Sequence, residues 1–302
     1  MGLSTVDIFK KMNVEGDDFI VMDDELIRRY QQVLVKIAED IVDICETWNI
    51  TYHLTGGSAL GAVRHHGFIP WDDDMDIDIL SSDFDLFHEK FMEKYGDKYW
   101  FHTCDTKDHG MTVNRIRLKG TTFRAREDVG KDECGFFIDI LRIENAYDNL
   151  ILRSLHGILC MGAGFLLSCR NFYHNRKLML ELVESNPDVK KAFTTKINIG
   201  RLICFIPLTT CAKITQKVYG MCKNNNSRLV TVPAGRKHYY GEMQKRCDFV
   251  DTTKMEFEGH MWDIPKNYKR YLKNMYGNYM EIPKEEDREK HILLEIHFPE
   301  EN

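Results

Sequence analysis

Apolar residues between Asp23 and Trp48 recur every third or fourth position, at Leu26, Tyr30, Val33, Ile37, Ile41, Ile44 and Trp48. That period predicts one amphipathic helix with a single buried face, capped by Asp23 or Asp24. The short β-prone run Thr51–Thr55 ends at Gly56-Gly57, and Ser58–His65 reads as helix: strand, glycine turn, helix. Met75–Leu80 alternates strictly and predicts a strand, and Asp83–Tyr95 a helix. Tyr99–Cys104, Thr112–Leu118 and Thr121–Ala125 predict further strands. Phe136–Leu141 (FFIDIL) reads as a buried strand carrying one acid, Asp139.

After residues 143–148 the pattern changes to long helical stretches as far as about residue 222, then short elements, a helix over Lys266–Tyr276 and a polar tail. The expected organisation is a lead-in over 1–23, a catalytic core over 24–145 and a mostly helical part over 146–302. Two apolar runs in that last part are Leu155–Cys169 and Leu202–Ala212, of 15 and 11 residues. A membrane span wants roughly 20 apolar residues. The runs therefore read first as buried helix, with contact at a membrane surface as the alternative.

Composition narrows the function classes. The chain has 302 residues, 29% of them charged, and a net charge of −6. That balance leaves no general basic footprint for nucleic acid. Nine scattered cysteines form no C-x-x-C pair. They read as reduced structural thiols of a cytoplasmic protein, and the N-terminal stretch lacks the basic-then-apolar pattern of a secretory signal.

The chemistry concentrates in Gly56–Leu80, GGSALGAVRHHGFIPWDDDMDIDIL, where five aspartates (72, 73, 74, 76, 78) fall within seven residues. Side chains alternate along a strand, so Asp72, Asp74, Asp76 and Asp78 share one face while Met75, Ile77 and Ile79 take the other. Same-side neighbours then stand about 6–7 Å apart. Crowded carboxylates raise one another's pKa unless a cation neutralises them. A hard divalent ion, Mg²⁺ or Mn²⁺, shared with substrate phosphates satisfies such a row. The pattern alone leaves 74/76 and 76/78 as equal candidates for the metal pair. Gly56, Gly57 and Ser58 open a helix whose N–H groups suit an anion, and Arg64 on that helix could reach a phosphate. Arg115 and Arg117 share a strand face and suit phosphate oxygens.

The same 25-residue stretch resembles the signature of LicD-type phosphotransferases, related to the fukutin group and to the nucleotidyltransferase fold. FFIDIL resembles that family's third-carboxylate strand and VNRIRLKGTTF its intervening strand. FEGHMWDIPKNYKRYLKNMYGNYMEIP, continuing to Arg288 and His291, resembles its C-terminal motif. The resemblance covers about 24–143 and 255–292.

It implies an α/β (α+β) fold, a nucleotidyltransferase-like mixed sheet with a mostly helical C-terminal lobe. Asp74, Asp76 and Asp139 become the catalytic and metal-binding acids. Gly56, Gly57, Ser58, Arg64, Arg115 and Arg117 face the donor phosphates, with Asp72 and Asp78 in support. Tyr276 and His291 fall toward the acceptor, and Tyr271 and Tyr279 are aromatic candidates for a choline or acceptor pocket. The implied reaction moves phosphocholine or a polyol phosphate from a CDP-alcohol to a glycan or lipid-linked glycan, such as lipopolysaccharide, teichoic acid or capsule. It would run in the cytoplasm, at most in peripheral contact with the membrane's inner face. Two other readings share the motif: a nucleotidyltransferase moving NMP to a sugar phosphate or protein, and a non-catalytic nucleotide or sugar-phosphate binding module.

Overall fold

The computed structural model describes residues 20, 22–107, 109–125, 128, 131–181, 187–284, 288 and 293–299. Helix α1 (Asp24–Thr47) begins where the Asp23 carboxylate accepts the Leu26 N–H at 2.8 Å. It buries Tyr30, Leu34, Ile37, Ile41 and Ile44 on the face its periodicity marked. The strand–turn–helix follows as β1 (Tyr52–Leu54) and α2 (Gly56–His65). The helix starts at Gly56 itself, two residues earlier than the pattern suggested, and the chain turns into it through Gly56 at φ +53°, a value open to glycine. β2 (Asp76–Leu80), α3 (Phe84–Tyr95), β3 (Tyr99–His102), β4 (Asn114–Leu118), β5 (Thr122–Ala125) and β6 (Phe137–Ala146) complete the first half.

The central sheet runs β1-β2-β6-β4-β3, with β2 and β6 parallel and the other neighbours along this path antiparallel. This is the expected mixed α/β fold. Ile77, Ile79, Ile138 and Ile140 fill its core together with the inner face of α1. β6 continues five residues past the expected end at Leu141. Arg142 does not stop it, because its guanidinium lies 3.5 Å over the Phe84 ring.

Four helices follow: α4 (Leu150–His174), α5 (Arg176–Glu181), α6 (Pro187–Leu202) and α7 (Leu208–Tyr219). The chain then returns to the core. β7 (Leu229–Thr231) pairs with the far end of β6. α8 (His238–Gly241), β8 (Gln244–Lys245) and α9 (Arg246–Phe249) lead to the hairpin β9 (Thr252–Phe257) and β10 (His260–Pro265). α10 (Tyr268–Tyr276) comes next, and β11 (Leu293–His297) pairs with β5.

The helical lobe corrects one expectation. Leu155–Cys169 is not a buried run. It lies inside α4, whose apolar residues are largely exposed, Leu155 at 54% and Ile158 at 63%. By length and composition α4 could cross a membrane. Leu202 and Phe205, in the second run, are more exposed still. The apolar pattern was right about helix and wrong about burial, because α6 and α7 cover only one side of α4. All nine cysteines are free thiols, seven of them buried.

Candidate active site

The parallel β2–β6 pair places Asp76 directly opposite Asp139. On the other side of β6, β4 places Arg115 opposite Asp139. Neighbouring strands lie about 4.8 Å apart, so the three residues form one row across three strands. Arg115 Nε and Nη2 donate to the two Asp139 oxygens at 2.6 and 2.9 Å. The same guanidinium lies 3.7 Å over the Phe137 ring.

Asp76 bears the electrostatic load of the site. Burial pushes its carboxyl well above the usual range, and the charges of Asp74, Asp139 and Asp78 push it further; Arg115 opposes them. Its N–H donates to Ser58 Oγ at 3.0 Å, so Ser58 fixes the start of β2. The acidic loop before β2 is anchored by a residue the pattern did not single out: buried Gln31 on α1 donates to the Asp72 carbonyl at 2.9 Å. The Asp72 carboxylate lies against Gly57, where a Cβ would come within 2.7 Å of Oδ2.

α10 covers the row. Tyr271 Oη meets Thr55 Oγ1 at 2.7 Å and accepts the Gly56 N–H at 2.9 Å. Tyr276 brings its hydroxyl beside Gly56 and Asp76: a Cβ on Gly56 would lie 3.7 Å from Tyr276 Oη and 3.3 Å from Asp76 Oδ2. Burial and the acids Asp76 and Asp72 hold the Tyr276 hydroxyl protonated far above its ordinary range, against the pull of Arg236. Asp78 is sealed beneath this cover, its carboxyl close to the Thr55 hydroxyl. Burial raises its pKa well above that of a free carboxyl, with the Thr55 hydroxyl pulling the other way. Asp78 thus faces Thr55, Tyr271 and Glu242, while Asp76 faces the glycine turn.

The other sequence candidates are placed as follows. Arg64 Nη1 donates to the Tyr279 carbonyl at 2.9 Å and the Glu281 carbonyl at 3.3 Å, tying the segment after α10 to α2. Arg117 is directed away from the row, into a buried pair with Asp128 at 3.0 Å and a bond to the Gly135 carbonyl. Arg288 returns to the acidic loop, 4.0 Å over the Trp71 ring. His291 lies outside the described residues, as does most of the 1–23 lead-in.

Arg236 was missed. It lies in the stretch 150–240 that carries no motif, and its charge reaches Tyr276 and Glu242 only because β7 brings that stretch back to β6. Its one local signal is the preceding glycine in Pro233-Ala234-Gly235.

Residues 49–151, which hold the glycine turn, both acid strands and Arg115, match the family model described as "LicD/FKTN/FKRP, nucleotidyltransferase domain". The chain carries a LicD-family domain. The similarity extends past it: the chain is 25% identical over 286 residues to "Lipopolysaccharide cholinephosphotransferase LicD" of Haemophilus influenzae, covering 90% of this chain and 98% of that one. Over 52 residues it is 42% identical to human "Ribitol 5-phosphate transferase FKRP", 17% of this chain and 10% of that relative. An uncharacterised protein of Rickettsia prowazekii is 35% identical over 71 residues, 22% of this chain and 27% of its own.

Whether this LicD-family site suits a cation follows from its donors. Asp74 and Asp76 are oxygen ligands whose mutual repulsion a hard ion would relieve. Asp139 is engaged by Arg115. Among the described residues, no three His, Cys, Asp or Glu side chains stand together as a ready-made metal site. Two carboxylates completed by substrate phosphate oxygens form the donor set that Mg²⁺ commonly takes. The residues present fit that ion.

Proposed function

We propose that this chain is a LicD-like transferase that moves a phospho-alcohol, phosphocholine or a polyol phosphate, from a CDP-linked donor to a hydroxyl of a cell-surface glycan. The observation that carries this reading is the row Asp76, Asp139, Arg115 beneath the Gly56 turn. Relatives named for phosphocholine and ribitol phosphate transfer support it.

Asp74 and Asp76 would hold Mg²⁺ or Mn²⁺, which supplies charge neutralisation on the donor diphosphate. Arg115 offers a planar fork to the transferred phosphoryl group. When phosphate oxygens take over that fork, Asp139 is released to accept the acceptor hydroxyl's proton. The acceptor oxygen bonds to phosphorus, the bond to the bridging oxygen breaks, and CMP leaves with the electron pair. Tyr276, protonated throughout, can donate to a phosphate or sugar oxygen beside Asp76. The place of work would be the cytoplasmic side.

The test is a panel of CDP-alcohols with Mg²⁺ and with EDTA. CMP release that needs the metal and is lost in Asp76→Asn is the expected result. Full turnover in EDTA removes the metal assignment. Pyrophosphate release from CTP or ATP would establish the nucleotidyltransferase reading instead, and binding without turnover the non-catalytic one. In Asp139→Asn, metal and donor binding should persist while transfer falls about 10²–10⁴-fold.

A further inference from the structure

α4 carries apolar residues on its outer face as well as on the face it packs into the lobe. Ile151, Leu155, Ile158, Leu159, Phe165 and Leu166 recur at helical spacing and face outward, Ile151 at 70% exposure. The inward side holds the polar His156 and Arg170 beside the apolar Cys160, Leu167, Cys169 and Phe172. His156 Nε2 bonds the Val218 carbonyl at 2.7 Å, and Arg170 Nε donates to the Ile206 carbonyl at 3.0 Å. The Arg170 bond places the turn between α6 and α7 against the C-terminal half of α4. That turn presents Leu202 and Phe205, the latter at 78% exposure. Contiguous exposed apolar surface of this extent marks an interaction site.

Charge identifies the partner. From Asn149 to Lys223 the chain has eleven Lys or Arg and three Asp or Glu, net +8 in a chain whose total is −6, leaving −14 on the remainder. Arg176, Lys177, Lys190, Lys191, Arg201 and Lys217 are exposed on this lobe. A lobe that exposes both apolar side chains and cations suits a layer whose interior is hydrocarbon and whose surface is anionic.

We propose that the outer face of α4, with the Leu202–Phe205 turn, docks on an anionic lipid bilayer and lies in its interface. Spanning is disfavoured because the inner stripe of α4, including His156 and Arg170, is committed to α7, β7–α8 and the turn before α7. A second copy is disfavoured because it would set the same basic rim against itself. The docked helix is joined to the site by a short packed connection. Asn171 donates to the Gly110 carbonyl, and residues 109–113 lead directly into β4 and Arg115. The proposal goes beyond the transfer reaction and does not depend on it.

Vesicle flotation of the full chain tests it. Vesicles of phosphatidylglycerol and phosphatidylcholine are compared with phosphatidylcholine alone, at low and high salt. The protein should float with the anionic vesicles and lose part of that binding in salt. Ile158→Glu and Phe205→Glu, both on exposed side chains, should each cut partitioning roughly tenfold. Their melting midpoints and circular dichroism should be unchanged. No flotation with either vesicle overturns the proposal, and equal binding to both overturns its electrostatic half. Resistance to carbonate extraction would show a span instead. A concentration-dependent dimer abolished by Ile158→Glu would show that the face belongs to a second copy.

Discussion

Under the proposed reaction, Asp76 is where function and stability oppose each other. Its carboxylate is raised by burial and by three other acids, so the ionised form strains the fold whenever no cation is bound. Asp76→Asn should therefore end transfer yet raise the metal-free melting midpoint by roughly 2–4 °C, the size of about 1 kcal/mol in a chain of this class. A calorimetric scan beside a transfer assay measures both, and a lowered midpoint would contradict the strain. Two histidines give the chain a pH dependence. Burial lowers His53 to about 4, and burial lowers His109 to about 4 as well, against hydrogen bonds to the Leu54 and Val113 carbonyls. Unfolded histidine titrates near 6.5, so between about 6.5 and 4 the unfolded chain binds protons that the folded one refuses. Stability is then full above about 6.5 and falls as pH drops to about 4, by roughly 3 kcal/mol per residue. Denaturant titrations across that window should show the slope, and His53→Gln or His109→Gln should each flatten it.

At the scale of elements, the site depends on how closely α2 approaches the loop after it. A Cβ on Gly61 would lie 2.4 Å from the Gly67 carbonyl oxygen, a backbone atom that cannot swing away. Gly61→Ala should cost about 1–3 kcal/mol and reduce transfer, because α2 carries the Gly56 turn that faces Asp76. Chemical denaturation reads the first effect; an unchanged midpoint would mean that the loop yields. The acid strand was legible because alternation of Asp with Met and Ile admits one arrangement on a sheet with one packed face. Its cover was not. That Tyr271 grips Gly56 while Tyr276 faces Asp76 follows from α10 packing against α2, about 190 residues downstream of β2. The two arginines make the same point. Arg115 and Arg117 share a strand face, and period two cannot distinguish them. Asp128 draws Arg117 into a buried pair, and Asp139 draws Arg115 into the row.

The whole molecule consists of one large core and a lobe without a comparable one. The sheet, α1 and the β9–β10 hairpin share a continuous apolar cluster, while among the described residues the lobe relies on three small ones, such as Phe172, Val189, Phe193 and Ile197. Amide exchange should therefore release α6 well before β2 and β6, since local opening is set by the apolar contact that opening must break. Equal protection throughout would show that lobe and core unfold together. Periodicity determined most of the helix and strand order and set a row of aspartates on one strand face, because each rests on residues close in the chain and on a side-chain period set by the backbone; the mixed sheet and the choice of Asp74, Asp76 and Asp139 among the acids came from the resemblance to LicD-type proteins. Only tertiary structure decided which acids face which cations, what covers the glycine turn and which side of α4 is left open. Those outcomes depend on groups from 11 to 215 residues apart in the chain being brought together by the fold. Hydrophobic periodicity shows that a helix has an apolar side, and only its neighbours determine whether that side is buried.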